Sequence, residues 1–187
     1  MTVAAFYKEL ESLKAYRETR LRLANTVLNN SALFAPLLDK CYDFDDPISS
    51  RACWILEFVC NEGLDWLIPC LDTFTKNLVS FKLDSSIRPM AKICQMLIKS
   101  YFSKTPSMLK QRLTEKHLEK ITEACFDWLI NDEKVAAKAY SIYALYELGK
   151  KYDWIHPELQ IVLEQNITEH SPAYKTAAKK VLKQLVK

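Results

Sequence analysis

The sequence predicts an all-α fold, an α-α superhelix wound as a right-handed solenoid from four to five helix pairs. Along most of the chain apolar residues recur at alternating spacings of four and three, which turns one stripe of a helix toward a core. Four such stripes open at Ile48, Ile87, Val135 and Tyr174, about 40 to 50 residues apart, a period that belongs to two-helix repeats. The chain of 187 residues holds only two glycines, Gly63 and Gly149, so few turns can need positive φ, as in helices joined by short connections.

The elements follow in order. A less regular pair at 2–16 and 18–29 fills residues 1–30 as an N-terminal cap, and four pairs occupy 31–187 of what reads as one repeat domain. The earlier member of each pair, helix A, is expected at 31–43, 64–80, 114–130 and 156–169. The later members, the B helices, carry the stripes Ile48-Ala52-Ile55-Val59, Ile87-Ala91-Cys94-Ile98, Val135-Ala139-Ile142-Tyr146-Gly149 and Tyr174-Ala178-Val181-Leu185. Asp46 before Pro47, and Ser171 before Pro172, place a side-chain acceptor at the N-cap and proline at the first helical position. Ser86 is expected to cap the second B helix, with Pro89 in its first turn, and Asn131 or Asp132 to cap the third. Pro36 and Pro69 fall inside A helices, where each removes a ladder hydrogen bond and bends the helix.

The segments Leu33-Phe34-Ala35-Pro36-Leu37-Leu38, Asp46-Pro47-Ile48-Ser49-Ser50-Arg51-Ala52 and Asn131-Asp132-Glu133-Lys134-Val135-Ala136-Ala137-Lys138-Ala139 combine a proline in helix A, a turn with Asp, then an apolar, a basic and an Ala position. In this they resemble the HEAT repeat family over about residues 31–187. The resemblance implies a solenoid whose B helices line a concave face, and it specifies fold rather than activity. The run from Lys138 to Lys183, through Asp153-Trp154-Ile155-His156-Pro157-Glu158-Leu159, also resembles short uncharacterised bacterial helical proteins that carry an adenylosuccinate lyase label. That likeness implies a lyase, but the flexible Ser- and Gly-containing loop of that family has no counterpart at either glycine.

The remaining composition narrows the function classes. Two glycines cannot build a Gly-rich phosphate loop or a dinucleotide fingerprint. The opening residues show no basic leader with an apolar stretch, and the greasiest run, Trp54 to Leu71, is broken by Glu57, Glu62 and Asp65, which would be costly in lipid. No membrane segment is expected. Cys41, Cys53, Cys60, Cys70, Cys94 and Cys125 contain no Cys-x-x-Cys pair and read as small core residues of a reducing cytoplasm. His117, His156 and His170 supply neither clustered metal ligands nor a base beside a nucleophile. No catalytic residue, metal or cofactor is expected.

Formal charge is only +3, but it is unevenly spread, with the A helices net acidic and the B helices net basic. Combined with the concave B face that the resemblance implies, this predicts a mildly basic groove whose candidate residues are Arg88, Lys92, Lys99, Lys138, Tyr140, Tyr143, Lys175, Lys179 and Lys183. Such a groove focuses a field that attracts an acidic segment of a protein partner, so a noncatalytic scaffold is the leading expectation. Nucleic acid is the alternative: three Asp-Trp pairs, Asp65-Trp66, Asp127-Trp128 and Asp153-Trp154, invite comparison with HEAT-like alkyl-base DNA glycosylases, which use an acidic residue and aromatic side chains in a positive groove. The pairs do not occupy equivalent repeat positions.

Overall fold

The computed structural model describes residues 1–166 and 171–185. His170, expected at the start of the last B helix, lies outside the described residues. Eleven α-helices and no strands occur among the described residues. They form five pairs: α1 (Val3–Ser12) with α2 (Arg17–Leu28), α3 (Phe34–Cys41) with α4 (Ser49–Glu62), α5 (Leu71–Asn77) with α6 (Asp84–Tyr101), α8 (Glu115–Ile130) with α9 (Val135–Leu148), and α10 (Ile155–Asn166) with α11 (Pro172–Leu185). A short α7 (Met108–Arg112), which the periodicity did not predict, sits between the third and fourth pairs.

The pairs stack as two layers of a solenoid. Helices α2, α4, α6, α9 and α11 pack successively against one another as the B layer, while α3 lies on α4, α8 on α9 and α10 on α11. Between the layers runs a continuous apolar core from Phe6 to Val181. The predicted stripes supply it: Ala52, Ile55 and Val59, then Ile87, Ala91, Cys94 and Ile98, are all essentially without exposed surface. Of the six cysteines, which are all free thiols, five are buried and Cys70 is half-buried.

Several helix starts differ from expectation. Asp46 does not sit at the N-cap of α4; its Oδ1 accepts the amide of Ile48 at 2.8 Å, shaping the turn ahead of a helix that begins at Ser49. Ser86 lies inside α6, which starts two residues earlier behind an extended Leu83, and its hydroxyl is buried without a hydrogen-bond partner among the described residues. Asn131 closes α8 rather than opening α9, whose N-cap is Lys134. Thr114 was missed: it forms a capping box with His117, whose Nε2 also donates to Asp72 Oδ1 at 3.0 Å and so ties α8 to α5.

The prolines act in three ways. Pro36 falls in the first turn of α3, where its missing N–H leaves no gap in the helix ladder. Pro69 interrupts the expected helix over 64–80, so Leu64–Cys70 winds as a 3₁₀ segment and α5 starts only at Leu71. Pro89, inside α6, leaves the carbonyl of Ser85 without its helical donor. The Trp54 indole of α4 fills that gap, with Nε1 donating to the Ser85 oxygen at 2.8 Å, so a helix defect becomes a link between adjacent B helices.

Candidate binding groove on the B layer

On the outer surface of the B layer a groove of 880 Å³ crosses α4, α6, α9 and α11 near their C-terminal ends. Helical spacing builds it. On α6, Arg88, Lys92, Gln95 and Lys99 fall four, three and four residues apart and so share one face; the same spacing aligns Tyr140, Tyr143 and Glu147 on α9. Gln95, Met96, Lys99, Tyr143, Tyr146 and Glu147 form the middle of the groove, Asn61 and Glu62 one end, Lys180 and Gln184 the other.

Only part of the predicted set reaches this groove. Lys99 is exposed there and makes no ion pair among the described residues. Tyr143 is half-buried in the groove wall, with the Lys180 ammonium 5.5 Å from its ring centroid. Tyr140 lies one turn away on the same face, half-buried against the core. Tyr146, expected to pack inward, is half-buried and stacks on His156 at 5.5 Å while Lys150 lies over its ring.

Arg88 and Lys92 occupy the right face, but their charge is already engaged. Both reach across to Glu57 of α4, at 2.5 and 2.8 Å, and the Glu57 side chain is only 4% exposed. Arg20 of α2 lies beside this triad, stacked over Trp54 and Phe58, and burial together with the Arg88 charge lowers its pKa. This upper part of the B layer is a cross-brace among three helices.

Lys138 is a correction. It is 3% exposed and its Nζ donates to the Leu129 carbonyl in the last turn of α8 at 3.2 Å, while burial pushes its pKa down. Two residues along a helix turn the side chain by about 200°, so Lys138 faces away from Tyr140 and the groove. Lys175, Lys179 and Lys183 are on α11, Lys175 half-buried and the other two exposed, yet none lines the groove. Lys180 does, and charge counting passed over it. Its signal was Ala177: burial of that alanine beside Ala178 turns the stripe 177-180-184 toward α9.

The groove is partly apolar, and its charged lining residues, Lys99 and Lys180 against Glu62 and Glu147, balance in sign. Lys99 and Lys180 make no ion pair among the described residues, Glu147 is held by Lys150 at 2.7 Å, and Glu62 is the acidic counterweight at one end. The three Asp-Trp pairs do not converge. Trp66 packs on Phe34, Trp128 is buried, and Trp154 stacks on Phe126 outside the groove. Among the described residues no group of three or more His, Cys, Asp or Glu side chains is placed to hold a metal ion, and no helix is long and apolar enough to cross a membrane. A family model for the HEAT repeat domain matches residues 8–185. No curated protein and no solved structure gives a match.

Proposed function

The chain belongs to the HEAT repeat domain family, and from that premise we propose that it is a binding scaffold that holds an acidic segment of a partner protein in the B-layer groove. The observation that carries the reading is the division of labour among the B-layer cations. Arg88, Lys92 and Lys138 are consumed by internal partners, whereas Lys99 and Lys180 stand at the wall of an 880 Å³ groove beside Tyr143, Tyr146 and Met96. Aromatic and thioether surface next to unspent positive charge suits an extended peptide that alternates acidic and apolar side chains.

The test is photocrosslinking from position 96, with a benzophenone amino acid in place of Met96. The expected result is a discrete protein adduct that disappears in the double variant Lys99→Glu with Lys180→Glu and persists in Lys179→Glu. Adducts that survive the double reversal would refute the groove reading. Retention of duplex DNA at low salt, lost steeply as salt rises, would instead select the nucleic-acid alternative.

A further inference from the structure

The A side of the solenoid holds a second cavity, of 400 Å³, between α8 and the connection from α9 to α10. Glu119, Thr122, Glu123 and Phe126 share one stripe of α8, and Tyr152 and Trp154 of the connection face them. The Trp154 ring lies nearly parallel to Phe126, with centroids 5.8 Å apart and planes inclined by 22°. Trp154 nevertheless keeps 56% of its surface exposed, whereas Trp54 and Trp66 are half-buried and Trp128 is buried. Trp154 thus exposes more of its ring than the other three tryptophans, leaving aromatic surface on which a flat group can stack.

Charge surrounds the rings. Glu119 makes no ion pair among the described residues, and Glu123 is held by Lys120 of its own helix across 2.7 Å in a pair exposed by 42% and 50%. Exposed pairs of this kind are weak and exchange readily. Tyr152 donates to Glu115, which fixes its ring at the edge of the cavity. The site thus offers a flat aromatic surface with two carboxylates one helical turn apart.

We infer that this cleft binds an arginine side chain of a partner protein, with the guanidinium stacked on Trp154 and forked toward Glu119 and Glu123. The guanidinium is planar, weakly hydrated and always charged, so it matches both the ring face and the paired carboxylates. A lysine ammonium would keep the charge and lose the stack and the fork. An acidic or phosphorylated segment would be repelled, so this site and the B-layer groove select opposite charges.

The experiment is a titration of the full chain with a fluorescein-labelled peptide of about six residues alternating Arg and Gly, read by anisotropy and by indole emission. Matched peptides carry lysine, or citrulline as the neutral isostere. The expected result is saturable binding of the arginine peptide with a change in indole emission that Trp154→Ala abolishes, binding roughly tenfold weaker for lysine, and none for citrulline. Trp154→Ala and the pair Glu119→Gln with Glu123→Gln should each weaken binding at least about tenfold, while Glu18→Gln on α2 leaves it unchanged. These side chains are exposed, so unchanged helical circular dichroism is expected; should Trp154→Ala unfold the chain, the Glu pair carries the test. Absence of binding by the wild type, equal binding of the lysine and citrulline peptides, or indifference to the Glu pair would overturn the assignment. Self-association abolished by Trp154→Ala in the absence of peptide would also overturn it, in favour of a second copy of this chain.

Discussion

Replacing Gly149 with alanine isolates a contact that backbone angles do not reveal. Gly149 closes α9 at φ −63° and ψ −15°, a conformation any residue adopts, so alanine there meets no backbone strain. The obstacle is His156. A Cβ on residue 149 would lie 1.9 Å from His156 Cδ2 and 2.3 Å from Nε2, so the imidazole must move. Moving it breaks the bond from Nε2 to the Tyr146 carbonyl, 2.9 Å long, and the stack on the Tyr146 ring. The lost hydrogen bond costs about 1 kcal/mol and the lost stack about 0.5–1.5 kcal/mol. Alanine returns about 0.4–1 kcal/mol by restricting the unfolded chain, leaving a net destabilisation of about 1 kcal/mol. Urea denaturation followed by helical circular dichroism measures it. The decisive arm is the same substitution in a His156→Ala background, where the clash is gone and Gly149→Ala should stabilise by about 0.4–1 kcal/mol. Stabilisation in both backgrounds would refute the steric account.

Other substitutions probe the braces between helices. Glu57→Gln keeps the shape but leaves Arg88 and Lys92 facing each other without a counter-charge, and because both are more than a quarter exposed, water limits the cost to about 2 kcal/mol in the same denaturation assay. Trp54→Phe orphans the Ser85 carbonyl and costs about 1–2 kcal/mol; in a Pro89→Ala background, where residue 89 regains its N–H, that cost should shrink. Lys138→Met, measured across pH, should change stability by less than about 1 kcal/mol at neutral pH and should flatten the alkaline limb. The sign follows from burial: the folded protein holds the Lys138 ammonium below its usual pKa, so folding disfavours its charged form. Stability therefore rises as pH climbs from the lowered folded value toward the ordinary lysine value. An alkaline limb unaltered by Lys138→Met would count against that account.

The repeat was legible because burial imposes a period. The stripes Ile87-Ala91-Cys94-Ile98 and Tyr174-Ala178-Val181 needed only counting, and their first three members are fully or almost fully buried in both helices. Helix starts were less legible where the chain offered two acceptors in succession: Asp46 serves a turn instead of a helix, and Ser86 is overtaken by a helix that begins at Asp84. The 3₁₀ segment over Leu64–Cys70 could not be read from the apolar pattern, which stays the same while the winding tightens around Pro69. At the groove, face mattered and layer did not. Lys179 and Lys180 are adjacent in sequence but about 100° apart on the helix, and only Lys180 reaches the groove.

Lys138 shows why the signature that identifies the fold misleads when it is also read as a binding surface. It stands three residues after the first stripe position of α9, as Arg51 does on α4. Both reach back to the last carbonyls of an earlier helix: Lys138 to Leu129 of α8, its own pair partner, and Arg51 to Leu10 and Glu11 of α1, in the preceding pair. Carbonyls at a helix C-terminus carry the negative end of the helix dipole and spare acceptor capacity, so a long cationic side chain at these two positions joins one helix to another. A basic residue there is structural in origin, and its charge is already used. The cations that the proposed groove leaves for a partner, Lys99 and Lys180, fall off that register. At Arg51 and Lys138 the basic residue of the motif therefore marks the fold rather than a binding surface.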